Sequence, residues 1–141
     1  MGFDPSSDYP LGQKRPDLVS TPSGLALDDV TIDAMRQGRL TWEDLRATPA
    51  TLQRQAEVAD AAGRKALSDN LGRAAELAAI PSDTILDIYT ALRPHRSTTD
   101  ELADWAERLD TAGAPLTAGF VREAIEVYAK RGLLAGDHAG V

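Results

Sequence analysis

The chain has 141 residues, a formal charge of −7 and no cysteine. That length fits one domain with a modest core. The acidic balance opposes binding to polyanionic nucleic acid, and the lack of cysteine removes disulfides, thiolate metal sites and thiol catalysis.

Aromatic residues make up only 5% of the chain, and many of its apolar residues are alanine. Alanine buries little surface, so the core is expected to be thin and stability to lean on a partner. No apolar run approaches the length of a membrane span. The N-terminus lacks a basic segment followed by an apolar one, so no secretory signal is expected, and the chain is read as cytoplasmic.

In residues 1–24, Pro5, Pro10, Pro16, Pro22 and Gly24 oppose any regular element. Composition alone fits an unstructured tail. It fits equally an extended arm that lies on a partner and buries Tyr9, Leu11, Leu18 and Val19. Residues 25–135 read as one helical domain, and residues 136–141 as a frayed tail.

Leu27 to Gln37 is the first helix candidate, with Leu27, Val30, Ala34 and Met35 on one face and Gly38 as its stop. Thr41 caps a short second helix beginning at Trp42. Glu43 and Asp44 there read as partners of the helix dipole rather than as an acid/base pair. Thr48-Pro49 starts a third helix, a capping hydroxyl followed by proline in the first helical position.

From Pro49 to Ala79 no proline intervenes, and rows such as Leu52, Ala56, Ala59, Gly63 and Ala66 keep a helical period. The expectation is one long helix of about 45 Å at ~1.5 Å per residue. Gly63 and Gly72 weaken it by roughly 1 kcal/mol each and mark a bend or a close crossing.

Pro81 breaks that helix and Ser82 caps the next, whose apolar face is Ile85, Leu86, Ile88, Tyr89 and Leu92. Arg93-Pro94 ends it. Thr98 and Glu101 fit a capping box for a helix through Ala112, with Leu102, Trp105, Ala106 and Leu109 buried. After a turn at Gly113-Ala114-Pro115, a last helix runs from Leu116 to about Arg131, with Phe120, Val121, Ala124, Val127 and Tyr128 inside. The fold expected is all-α: a small bundle of about five helices, one long, with an extended N-terminal arm.

Chemical templates are scarce. His95 and His138 lack a second ligand at helical or loop spacing. No Gly-rich phosphate loop and no nucleophile elbow occurs. No catalytic, cofactor-binding or metal-ligating residue is assigned. The one chemically distinctive stretch is Arg93-Pro94-His95-Arg96-Ser97. Its arginines neutralise a helix C-terminus, or form bidentate pairs with carboxylates of a partner; the two readings are compatible.

The wording of several stretches is more specific than their physics. Arg73-Ala74-Ala75-Glu76-Leu77, Pro81, Ile85-Leu86-x-Ile88-Tyr89-x-Ala91-Leu92-Arg93-Pro94-x-Arg96-Ser97 forms one ordered set. Asp8-Tyr9-Pro10-Leu11, Asp44-x-Arg46-x-Thr48-Pro49 and Phe120-Val121-Arg122-Glu123-Ala124 extend it from about Asp8 to Leu134. Together they resemble the small subunit of adenosylcobalamin-dependent diol and glycerol dehydratases. His95, Leu71 and Gly119 depart from the usual residues of that pattern.

The resemblance implies a heteromeric enzyme of large, medium and small chains, two copies of each. It would convert a 1,2-diol, propane-1,2-diol or glycerol, to an aldehyde and water by a radical mechanism. Adenosylcobalamin would be bound by the other subunits and the active site would lie on the large one. The D-x-H-x-x-G pattern of cobalt ligation is absent from this chain. The resemblance favours the arm reading of the N-terminus and marks Tyr9, Leu11, Arg73, Tyr89, Arg93, His95 and Arg96 as subunit-interface candidates.

Some relatives carry a longer amphipathic N-terminal extension for packaging into bacterial microcompartments. Only seven residues precede Asp8 here, so an enzyme outside such shells is expected, association through the medium subunit remaining open. The competing reading from a different class is a stand-alone helical adaptor or regulator with no catalytic role. A nucleic-acid-binding helical domain is opposed by the charge.

Overall fold

The computed structural model describes residues 2–137, so the expectations for His138 and for most of the frayed tail lie outside the described residues. The described residues are all-α, with no strand beyond an isolated bridge between Ser20 and Ala26. Among the described residues no helix is long and apolar enough to cross a membrane. The chain divides into two compact units, the boundary falling between Ala78 and Ala79, within the stretch expected as one helical domain.

The first unit begins with a folded hook rather than an extended arm. Helix α1 is Leu11–Lys14, and a 3₁₀ turn follows at Pro16–Leu18. The Arg15 guanidinium clamps this segment, donating to both Asp17 carboxylate oxygens at 3.0 and 2.9 Å and to Asp8 Oδ2 at 3.0 Å. Lys14 Nζ reaches the Ser7 carbonyl at 2.8 Å. Arg54, on a later helix, donates to the Leu18 carbonyl at 2.8 Å and ties the hook down. The prolines did forbid long elements, but short turns between them still satisfy the backbone.

The helix expected over Leu27–Gln37 is split. Leu27–Asp29 is a 3₁₀ turn, and helix α2 covers only Ile32–Arg36. Thr31 accepts from the Ala34 N–H at 3.1 Å and so starts α2 late, as a competing cap does. Only Ala34 of its expected face is buried, and Met35 is exposed. Trp42–Leu45 is a 3₁₀ turn, with Thr41 at its cap as expected.

The long helix is replaced by a hairpin. Helix α3 is Pro49–Ala61 and helix α4 is Lys65–Leu77. Gly63 sits between them with φ +71°. The Arg64 N–H donates to the Ala59 carbonyl at 2.8 Å and the Gly63 N–H to the Asp60 carbonyl at 2.8 Å. These bonds close α3 with a glycine in the left-handed region, an arrangement that satisfies its last carbonyls. Folding back lets α3 and α4 pack along their lengths, burying Ala56, Ala59, Gly72 and Ala75 in a seam of small residues. Gly72 serves the close crossing; Gly63 serves the corner.

The second unit contains α5 (Ser82–Ala91), α6 (Thr99–Thr111) and α7 (Pro115–Arg131). Pro81 rather than Ser82 occupies the cap of α5. The capping box of α6 forms as expected: the Thr98 N–H donates to Glu101 Oε2 at 2.8 Å, and the Glu101 N–H to Thr98 Oγ1 at 3.3 Å. Gly113, φ +79°, turns the chain into α7, which packs closely on α6. The core is Leu102, Ala106, Leu109, Ala114, Ala118 and Val121, joined by Ile88 and Leu134. Phe120 and Val127, expected inside, are exposed, as are Leu86 and Tyr89 of α5. The small residues Ala114, Ala118 and Val121 set which side of α7 faces α6, and the larger side chains fall outside it.

Candidate subunit interface

The corner after α5 is held by four hydrogen bonds from its surroundings. His95 lies in the left-handed region at φ +61°, and its N–H donates to the Leu133 carbonyl at 2.7 Å. The Ala135 N–H donates to the Ser97 carbonyl at 2.9 Å. Buried Ser97 donates through Oγ to the Ala91 carbonyl at 2.8 Å. The Tyr128 hydroxyl donates to the Leu92 carbonyl at 2.6 Å. Ser97 and Tyr128 thus take up carbonyls that the end of α5 leaves without an intrahelical partner, and the stretch after α7 pins the turn from the other side.

Arg93, Pro94 and Arg96 are exposed on this braced turn. The described residues give neither arginine an ion pair or a side-chain hydrogen bond, so two guanidiniums face outward from a backbone that cannot easily move. A planar fork held in this way is suited to carboxylates. His95 is half-buried with Nδ1 sheltered from solvent, so it braces the turn more than it extends its surface.

Tyr89 lies one turn before Arg93 and is exposed. The structure therefore brings Tyr89, Arg93, His95 and Arg96 together in the second unit. The remaining candidates belong to the first. Tyr9 is exposed. Arg73 is half-buried on α4, with a hydrogen bond to the Asn70 side-chain oxygen. Leu11 is buried within its own unit, where α1 turns it inward.

Sequence reasoning missed Leu86, Phe120 and Val127 as surface residues. The available signal was that apolar residues on α7 occupy more than one stripe, more than a single covered face requires.

Among the described residues Asp44 is the one buried carboxylate. It accepts from the Ser23 N–H at 3.3 Å and from the Thr41 N–H and hydroxyl at 2.9 and 3.0 Å. The hydrogen bonds from Ser23, then those from Thr41, hold its carboxyl well below the usual carboxylate range. It clasps the Ser23 backbone to the start of the Trp42–Leu45 turn. Among the described residues no three His, Cys, Asp or Glu side chains group closely enough to hold a metal ion.

All-α folding and a braced, outward-facing pair of arginines define the class: a small helical chain whose most distinctive surface suits contact with another protein. Comparison with known proteins gives the family. The family described as dehydratase small subunit matches residues 5–135, and the chain belongs to it. It is 48% identical over 132 residues to the propanediol dehydratase small subunit of Citrobacter freundii, covering 93% of this chain and 77% of that one. Identity to the propanediol dehydratase small subunit of Salmonella typhimurium is also 48%, covering 93% and 76%.

Proposed function

We propose that this chain is the structural small subunit of a heteromeric, adenosylcobalamin-dependent dehydratase that converts a 1,2-diol to an aldehyde and water. The observation that carries the reading is the 48% identity to two propanediol dehydratase small subunits across 93% of the chain. The names of those relatives favour propane-1,2-diol, giving propanal, over glycerol, giving 3-hydroxypropanal.

The catalytic centre is assigned to the large subunit and the cofactor to the large and medium subunits, with two copies of each chain. The cofactor would supply the radical that removes hydrogen from the diol. Among the described residues no His, Cys, Asp or Glu group is suited to a metal. Its own residues bind: Arg93 and Arg96 would pair with carboxylates of a neighbouring subunit, on a turn that Ser97 and Tyr128 keep in place.

The test is co-expression with the large and medium chains, size exclusion, and assay of each peak with adenosylcobalamin and propane-1,2-diol. Co-elution with aldehyde-forming activity, lost when this chain is omitted, is the expected result. A chain that elutes alone beside a fully active complex overturns the reading and leaves a stand-alone adaptor.

A further inference from the structure

The second unit exposes large apolar residues in rows of helical spacing. On α5, Leu86 is 66% and Tyr89 64% exposed; on α7, Phe120 is 48% and Val127 42% exposed. Residues three, four and seven apart on a helix share a side, so each pair forms a row along its own helix. Between the rows runs a groove of about 450 Å³ lined by Tyr89, Leu92, Phe120, Ala124, Val127 and Tyr128, with Glu123 its one charged wall. Leu92 lines the groove, and Arg93 and Arg96 follow it in sequence on the braced turn.

We propose that this groove is a docking site for an amphipathic helix of a companion dehydratase subunit. The helix lays its apolar face along Tyr89, Phe120 and Val127 and directs carboxylates at Arg93 and Arg96. The inference rests on the subunit reading above and adds to it a surface and the chemistry of its occupant.

Two observations select that occupant. Parallel rows at three- and four-residue spacing form ridges into which the ridges of another helix fit, whereas an extended peptide with period two does not match them. The arginines of the turn that follows Leu92 have no ion pair among the described residues and so call for carboxylates on the occupant, while Glu123 on the groove wall leaves its other face to an uncharged or basic residue. A second copy of this chain is a poor occupant, because each copy carries a formal −7 and closing the groove on itself would also set arginine corner near arginine corner.

The experiment uses the three-chain complex, purified through a tag on the large subunit. Phe120→Glu/Val127→Glu should reduce recovery of this chain with the large subunit at least ten-fold. The helical circular dichroism of the separately purified chain should stay near wild type, since both side chains are about half exposed. Arg93→Glu/Arg96→Glu should weaken association less and flatten its dependence on salt.

If the α7 variant does not fold, Tyr89→Glu reads the same groove from α5, with the same loss expected. Wild-type recovery of the folded variants overturns the docking proposal alone. Failure of the wild-type chain to assemble overturns the subunit reading instead. A wild-type homodimer that the α7 variant dissociates would assign the groove to a second copy and overturn the proposed occupant.

Discussion

Replacing Gly63 by alanine changes sign depending on whether the chain continues as one helix or turns a corner. In a continuous helix the substitution removes the penalty of an interior glycine and stabilises by about 1 kcal/mol. In the structure Gly63 has φ +71°, a region that costs an L-residue roughly 1–2 kcal/mol. Space is not at issue, because a Cβ added there meets nothing within 4 Å. Alanine also narrows the unfolded ensemble, which offsets about 0.4–1 kcal/mol. The net expectation is destabilisation by about 1 kcal/mol, or a fall in Tm of about 3 °C at this chain length.

The two architectures therefore differ by about 2 kcal/mol in the response to one methyl group, well outside the error of matched urea unfolding curves followed by far-ultraviolet circular dichroism. Gly63→Asn supplies the internal control. Asparagine tolerates the left-handed region better than alanine, so it should lie between wild type and Gly63→Ala. If Gly63→Ala raises the urea midpoint, the corner is wrong and α3 and α4 form one helix.

Three further outcomes follow from the packing. Leu102→Ala removes one of the two largest fully buried side chains and should cost about 2–5 kcal/mol, read as a lowered denaturation midpoint. Tyr128→Phe removes the hydroxyl donated to the Leu92 carbonyl and should cost about 1 kcal/mol, with hydrogen exchange accelerated at the end of α5. Asp44→Asn should lower stability at neutral pH and blunt its acid dependence. The folded carboxyl is held below its unfolded value of about 3.9, so its contribution is full above that value and fades as pH falls through the folded pKa. Acid titrations of wild type and variant should therefore converge below about pH 4, and parallel curves down to pH 2 would exclude the clasp.

Elements whose signals are local were legible in the sequence. Thr98 and Glu101 formed their capping box, Thr48-Pro49 began α3, and Gly113 turned the chain after α6 with positive φ. Gly63 was not legible in the same way. A glycine within a helical pattern weighs only about 1 kcal/mol, and the deciding energy comes from burying Ala56 and Ala59 against Gly72 and Ala75, which local sequence does not display. The N-terminal hook depends likewise on Arg15 meeting Asp8 across seven residues. At the candidate interface, the sequence singled out Tyr89, Arg93 and Arg96, which the structure leaves exposed. It assigned Phe120 and Val127 to the interior because apolar pattern marks a residue for burial without saying by which chain.

The distribution of apolar residues argues that folding and assembly share one source of free energy. The seam between α3 and α4 is built from alanine and glycine, three of the buried residues between α6 and α7 are alanines, and beyond Leu102 and Val121 little bulk is fully enclosed. The larger apolar side chains Ile32, Trp42, Leu86, Tyr89 and Phe120 lie substantially exposed. Small residues let helices approach closely but contribute little on burial, whereas each large side chain contributes about 1.5–3 kcal/mol when removed from water. The side chains with the most to gain are thus those this chain leaves at its surface. A partner covering even three of them would contribute on the order of 5 kcal/mol, comparable with the whole stability of a marginal domain. Any partner that binds the folded state alone raises its stability in proportion. The thin core is consistent with a chain whose folded state is completed by its neighbours.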